Sequence, residues 1–186
     1  SAIPAFAGEK KDIVDTAVHE AYPGHHLQLS LARRHPSTIR LLAHASIFSE
    51  GWALYSEQLC KEMGAYKDIA EDFMHLDQEH FRAARLVVDT GIHYRKWSRD
   101  QAIDYMAANT GFARGRVARE IDRYAVWPGQ ACSYKVGHTL WLEQRERARA
   151  ALGSRFNLAA FHDAALKPGA MPLTVLSNVV GDWIRG

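Results

Sequence analysis

The sequence has 186 residues, of which 47% are hydrophobic and 24% charged, and this composition predicts one compact globular domain. A formal net charge of +2, with basic and acidic residues interspersed, offers no basic surface to nucleic acid or an anionic membrane. No apolar run reaches the roughly 18 to 20 residues of a membrane span, and the two cysteines exclude a disulfide framework or a thiolate metal site. Cytoplasm and periplasm both remain open as compartments.

Apolar residues recur at spacings of three and four along most of the chain, and this period predicts an all-α fold. We expect seven or eight helices that form one irregular bundle over residues 1–186. In the first half of the chain, helices are predicted at about 9–34 with a break at Pro23-Gly24, at 36 or 37–45, at 47–63 and at 67–96.

The helix predicted at about 67–96 carries one continuous apolar stripe. The residues of this stripe share one helix face at about 3.6 residues per turn, and they are Ile69, Phe73, Leu76, His80, Ala83 and Val87. We expect the stripe to form a spine of the core.

Residues typical of helix ends divide the second half of the chain. Ser98 is expected to cap a helix that ends at Thr110-Gly111. Trp127-Pro128-Gly129 separates the next two predicted helices. After Asn157, the sequence predicts a short helix, a KPGAMP turn and a final helix at about 173–184.

The sharpest local motif is VHEAYPGHHLQ at residues 18–28, which differs from the HExxH helix of zinc peptidases. In HExxH, two histidines four residues apart share a helix face and bind zinc, and the glutamate between them is the general base. Here Pro23 stands four residues after His19. Because proline lacks an amide and its ring clashes with the preceding turn, the helix must bend beside His19.

The bend affects which histidine can bind the same metal ion as His19. On a straight helix His25 would point about 120° away from His19, and the Pro-Gly irregularity can rotate it back. His26 keeps the angular position but would lie roughly 10.5 Å further along the axis. Geometry therefore favours His25 as the second ligand, and His26 is expected to contact a ligand or the substrate. Histidines beside a helix bend are also often plain capping groups, and that alternative stays open.

A third ligand is predicted from FSEGWALYSEQL at residues 48–59, where Glu50 opens a helix. Catalytic zinc has three protein ligands and one open position, and a glutamate from a second helix is a common third ligand. The small Gly51 beside it lets two helix backbones approach closely. The alternative for Glu50 is an exposed glutamate favoured by the helix dipole. Glu57, two turns later, is predicted to be a solvated or core-rim charge.

Five separated stretches resemble, in the same order, the bacterial domain-of-unknown-function 885 family. Members of that family look like distant relatives of helical zinc carboxypeptidases and oligopeptidases of the gluzincin type. The stretches are HEAYPGHHLQ at 19–28, SEGWALYSEQL at 49–59, RLVVDTGIH at 85–93, EIDRYAVWPGQACSYKVG at 120–137 and FHDAALKPGAMPL at 161–173. Together they span most of the chain.

The resemblance implies a gluzincin-like zinc site in a fold similar to the catalytic half of helical zinc metallopeptidases. It implies His19, His25 and Glu50 as zinc ligands and Glu20 as the general base. It also suggests that Tyr134 resembles the tyrosine that related peptidases direct at the tetrahedral oxyanion. A helix-face core aromatic is the alternative for Tyr134.

Four further residues complete the predicted site. Asp89 and His93 lie four residues apart on the long helix and so share a face. Asp89 is expected to orient a ligand histidine and His93 to donate to the substrate or the oxyanion, the alternative being a surface hydrogen-bonded pair. Arg123 and Lys135 are expected to receive a peptide carboxylate, unless they are merely solvated.

Family members look much longer than this sequence, so the resemblance points to a C-terminal fragment. The predicted function is zinc-dependent hydrolysis of peptide bonds in short peptides, with the remainder of the full-length chain completing the substrate cleft. The alternative is a non-catalytic helical domain that binds a peptide or a protein and whose histidines are structural.

Overall fold

The structure, a computed structural model, describes residues 12–42 and 44–186, and these residues form helices and turns without a β-strand. The prediction of an all-α fold is confirmed. A short 3-10 turn lies at Gly153–Arg155. In chain order the α-helices of the described part are α1 Asp12–Glu20, α2 His25–Ala32, α3 Thr38–Leu42, α4 Ser46–Glu62, α5 Ile69–His93, α6 Arg99–Ala108, α7 Arg114–Val126, α8 Ser133–Leu152, α9 Leu158–Leu166 and α10 Leu173–Arg185.

Most predicted helices lie within a few residues of their expected positions. The break predicted at Pro23-Gly24 is confirmed, since residues 21–24 form a turn that separates α1 from α2. Ser98 caps α6 as predicted, and a reciprocal bond from its own amide to Gln101 completes a capping box. The predicted helix start near Glu9, and Ala43 within the second predicted helix, lie outside the described residues.

Two apolar clusters fill the interior. The first packs α4, α8, α9 and α10 around the aromatic rings of Phe48, Trp52, Trp141 and Phe161, with Leu176 from α10. The second packs α5, α6 and α7, and its members include Phe81, Val88, Ile103, Met106 and Ile121. The two clusters adjoin where α5 contacts α4 and α8.

A glycine pair brings α4 and α8 into backbone contact. A Cβ atom added at Gly51 would lie 2.5 Å from the backbone of Gly137, and one added at Gly137 would lie 2.1 Å from the Ile47 carbonyl oxygen. Both distances are far below van der Waals contact, so neither position can hold a side chain. The close approach expected beside Glu50 is confirmed.

The apolar stripe of α5 does not form a spine of the core, and that prediction is wrong. Ile69, Phe73, Leu76 and Val87 are exposed, and Ile69 is 88% exposed. The buried face of α5 carries Arg82, Arg85 and Asp89 among other polar residues. The same buried face carries Phe81, Ala84 and Val88, which belong to the second apolar cluster, so the core side of α5 is mixed and lies away from the predicted stripe.

Among the helices of the described residues, none combines the length and apolar content that crossing a membrane requires. This finding agrees with the absence of a long apolar run in the sequence.

We expect Gly137→Ala to destabilise the protein strongly, because the new methyl group meets the backbone of Ile47 and Gly51. Overpacking of this kind costs about 1–3 kcal/mol, and backbone atoms have little freedom to relax. Gly115→Ala on α7 is the matched control, since a Cβ atom there meets nothing within 4 Å. Urea unfolding of both variants measures the difference, and equal stabilities would contradict the backbone contact.

A second prediction concerns pH and His162, whose Nε2 lies 2.8 Å from the Tyr55 hydroxyl in the aromatic core. Burial, aided by the charge of Arg145, lowers the pKa of His162 to about 4. In the unfolded chain His162 binds a proton below about pH 6.5, whereas in the folded protein it stays neutral until the pH is much lower. The free energy of unfolding therefore falls as the pH decreases. From pH 7 to pH 5 this group alone should cost about 2 kcal/mol.

His162→Gln should remove that part of the pH dependence, whereas His80→Gln, which changes an exposed histidine, should leave it unchanged. Urea unfolding at the two pH values measures both. An unaltered pH dependence in His162→Gln would show that the ring is protonated in the folded protein.

Candidate metal centre

Three side chains from three helices bring their ligand atoms together near the end of α1. His25 Nε2 lies 3.2 Å from Glu50 Oε2, and His19 Nε2 lies 3.7 Å from the same oxygen. One ligand atom from each of His19, His25 and Glu50 lies within 4.8 Å of the other two. The structure thus brings together the three residues predicted as zinc ligands, and His26, which is exposed, is not among them.

The turn between α1 and α2 accounts for the approach of the two histidines. A Cβ atom at Gly24 would lie 1.9 Å from the His19 carbonyl oxygen, so only glycine fits where the chain folds back on α1. The Trp52 indole donates hydrogen bonds of 2.9 and 3.2 Å to the carbonyls of Pro23 and Gly24. This anchors the turn to α4, the helix that carries Glu50.

The three groups suit a zinc ion in chemistry and in spacing. Two imidazole nitrogens and one carboxylate oxygen are the ligand set of many catalytic zinc sites. Tetrahedral ligands at zinc–ligand distances of about 2.0–2.1 Å lie roughly 3.3 Å apart, close to the separations found here. Glu50 Oε2 is buried and has no hydrogen-bond partner. An orphaned buried carboxylate oxygen between two imidazole nitrogens is a site that a cation would complete.

The electrostatics of the site favour added positive charge. Burial acts to raise the pKa of Glu50, but the neighbouring imidazole rings of His19 and His25, 3.7 and 3.2 Å from its Oε2 atom, outweigh it and lower that pKa to about 2. Burial acts to lower the pKa of His19, but the nearby carboxylates of Glu50 and Glu57 outweigh it and raise that pKa. Both pKa shifts arise because a carboxylate lies close to an imidazole ring, and each neighbour favours the charged form of the other.

Glu57 supports His19 from behind. Its Oε1 atom lies 2.5 Å from His19 Nδ1, so that nitrogen is the hydrogen-bond donor and Nε2 is directed at Glu50. Arg82 Nη2 lies 3.0 Å from the same oxygen. The prediction of a solvated or core-rim charge is wrong for Glu57, because its side chain is fully buried. Burial raises the pKa of Glu57, and the charge of Arg82 opposes that shift.

A second group of possible ligands, Asp15, Glu57 and His75, lies behind the first and is entirely buried. His75 Nδ1 lies 3.4 Å from Asp15 Oδ1, and the Tyr66 hydroxyl donates a 2.7 Å hydrogen bond to that oxygen. Arg82 already supplies a cation to Glu57. The protein itself thus provides donors and positive charge here, and this group is best described as the network that holds His19.

Gln130 holds the other side of Glu50. Its amide nitrogen lies 3.4 Å from Glu50 Oε1 and 3.4 Å from the Tyr134 hydroxyl. Arg123 donates a 2.6 Å hydrogen bond to the Gln130 side-chain oxygen, which turns the amide nitrogen toward the site. Tyr134 lies nearly parallel to the His19 ring at 6.2 Å between centroids, and the Arg85 guanidinium packs on its ring. Tyr134 is therefore a wall of the candidate centre.

Other predicted site residues contact parts of the fold around the centre. Asp89 does not orient a ligand histidine; both of its oxygens accept from the Gly129 amide at 3.1 Å. His93 Nε2 donates to the Tyr124 carbonyl at 2.9 Å. Lys135 contacts Glu79 and His138. Glu20 ends α1 beside His19 and is exposed to solvent.

Asp89 and His93 thus hold the connection between α7 and α8, which places Gln130 and Tyr134. The charges of Arg123 and Lys135, predicted for a peptide carboxylate, are both partnered within the protein, Arg123 by Glu120 at 3.0 Å.

The pattern of the family described as "Bacterial protein of unknown function (DUF885)" matches residues 4–180. The chain belongs to this family. The resemblance to this family that the sequence showed is therefore confirmed over residues 4–180. No protein with a curated description matches the chain.

Two solved structures are similar to this DUF885 chain. A putative lipoprotein from Colwellia psychrerythraea is 46% identical with a TM-score of 0.91, over 95% of this chain and 31% of that one. A putative lipoprotein of unknown function from Shewanella oneidensis is 26% identical with a TM-score of 0.85, over 91% of this chain and 31% of that one. The DUF885 chain therefore spans about a third of the length of the structures it matches.

Sequence reasoning missed three residues that surround the ligands: Glu57, Arg82 and Gln130. A signal existed for Glu57, which lies seven residues, about two helical turns, after Glu50 and so shares its helix face. Arg82 gave no such signal, because its partner comes from another helix.

We expect Glu57→Ala to destabilise the DUF885 chain by about 3–5 kcal/mol, because it leaves the Arg82 guanidinium buried without its partner. It should also lower zinc affinity about 10- to 100-fold, since the His19 ring loses its support. Urea unfolding without metal and chelator-competition titration measure the two effects. Asp104→Ala, at an exposed ion pair with Arg114, should cost less than about 1 kcal/mol. Equal losses in the two variants would contradict the network around Glu57.

Proposed function

We propose that this chain carries a zinc centre that hydrolyses peptide bonds in short peptides, in the manner of gluzincin-type carboxypeptidases and oligopeptidases. The observation that supports it is the convergence of His19 Nε2, His25 Nε2 and Glu50 Oε2, with the carboxylate oxygen buried and lacking a hydrogen-bond partner. Two imidazoles and one carboxylate leave a tetrahedral ion one open position, as catalytic zinc requires.

The hydrogen-bond network favours a catalytic centre over a set of structural histidines. His19 is held through Nδ1 by Glu57, and Glu50 is held through Oε1 by Gln130. The remaining atoms of both groups, His19 Nε2 and Glu50 Oε2, face one another. Such outer support orients metal ligands and is costly to build in a protein interior.

In this proposal zinc, when bound, would polarise the scissile carbonyl and make the attacking water more acidic. Glu20, exposed beside His19, takes a proton from that water and returns it to the nitrogen of the leaving amine, so that the C–N bond breaks. The Tyr134 hydroxyl donates to the developing oxyanion.

The substrate cleft of the proposed enzyme is built from more than this chain. In the two similar structures the matched part is 31% of the polypeptide. We propose that the remainder of the longer chain supplies the opposite wall of the cleft and limits substrates to short peptides.

Metal analysis and turnover test the proposal. The purified protein should bind about one zinc per chain after dialysis. His19→Ala and His25→Ala should lose the ion, and His26→Ala, the matched control, should keep it. Glu20→Gln should retain zinc while hydrolysis of a short-peptide library, followed by mass spectrometry, falls about 10²- to 10⁴-fold. A protein that takes up no zinc would instead favour the non-catalytic helical binding domain, and normal hydrolysis by Glu20→Gln would remove Glu20 from the mechanism.

A further inference from the structure

The outer face of α5 carries a stripe of apolar side chains that the described part of the chain leaves uncovered. Ile69 is 88% exposed, Phe73 59%, Leu76 47% and Val87 38%, and Tyr94 just beyond the helix is 81% exposed. At about 100° per residue these five positions fall within an arc of roughly 60°. Exposed His80 falls on the same arc between Leu76 and Val87, so the stripe has an apolar stretch towards each end of the helix.

The inner face of α5 is already occupied by the described fold. Phe81 and Val88 pack in the second apolar cluster, and Arg82, Arg85 and Asp89 serve the candidate metal centre and its surroundings. A surface helix normally turns its apolar residues to the core and its polar face to water. Isolated exposed apolar residues are ordinary, but several that align on one helix face mark a contact surface. The outer face of α5 therefore also needs protein against it.

The relief around the stripe suits a second helix. Beside the C-terminal half of α5 a depression is lined by Leu86 and by residues of α8 that include the apolar Val136 and Leu140 and the charged Lys135 and Glu143. A second depression, lined in part by Val87 and Trp97, lies near the C-terminal end of the helix. Grooves of this kind accept the side-chain ridge of a packing helix. A partner would have to be long, because 25 helical residues extend about 37 Å.

We infer that in the longer chains of the DUF885 family the α5 stripe packs against an amphipathic helix from polypeptide outside the matched region. The Colwellia structure reproduces 95% of this chain, yet the matched part is only 31% of its own polypeptide, so more than enough protein is present to cover α5. The inference does not depend on zinc chemistry, since the stripe lies about half a turn around α5 from Arg85.

The test compares one set of substitutions in two proteins. Phe73→Gln, Leu76→Gln and Val87→Gln are combined in this chain, and the aligned positions of the Colwellia protein are changed to Gln in the same way. In this chain the melting temperature should stay within about 2 °C, because the side chains are exposed, and binding of a hydrophobic dye should fall. In the longer protein the melting temperature should drop by about 5 °C or more, because the same positions are buried.

Val88→Gln provides the matched control on the same helix. Val88 is fully buried here, so this change should lower the melting temperature of both proteins. The inference is overturned if the triple change leaves the longer protein as stable as before, or if the aligned Colwellia residues are polar. It is also overturned if this chain is a dimer in sedimentation that the triple change converts to a monomer, because the occupant is then a second copy.

Discussion

The carboxylate of Glu50 lies between two imidazole rings, and the surrounding structure holds all three groups in that arrangement. One of its oxygens faces His19 and His25 without a hydrogen-bond donor, and the other is held by Gln130. A buried charged oxygen without a donor is unfavourable unless a cation completes it. The Pro-Gly turn, the contacts between the helices and the charged residues around Glu57 all hold this oxygen in its position.

Residues on several sides of the centre hold the three candidate ligands in position. Glu57 and Arg82 hold His19 from the interior, and Trp52 fastens the turn that aims His25. On the far side, α5 binds the connection between α7 and α8 through Asp89 and His93, which sets Gln130 and Tyr134 in position. Helices remote from the ligands in sequence therefore contribute to the geometry of the site through named hydrogen bonds.

The sequence predicted the helical fold and the local part of the site, and the physical reason is that both depend on short-range signals. Apolar period and capping residues located most helices, and the Pro-Gly break correctly favoured His25 over His26 as the histidine that lies beside His19 and Glu50. Contacts between distant segments leave no such local signal. Arg82 beside Glu57, Gln130 beside Glu50 and Asp89 beside Gly129 all join different helices. The outward stripe of α5 was misassigned for the same reason, since amphipathic period reveals two faces but not which one is inside.

The contact between Gly51 and Gly137 has a consequence for how the sequence of this bundle can vary. Because two backbones touch there, the separation of α4 and α8 is set by main-chain atoms and not by the size of neighbouring side chains. Glu50 stands next to this contact on one helix, and Tyr134 stands one turn before it on the other. Substitutions among the large aromatic residues of the interior can therefore alter stability while the backbone spacing beside Glu50 is preserved.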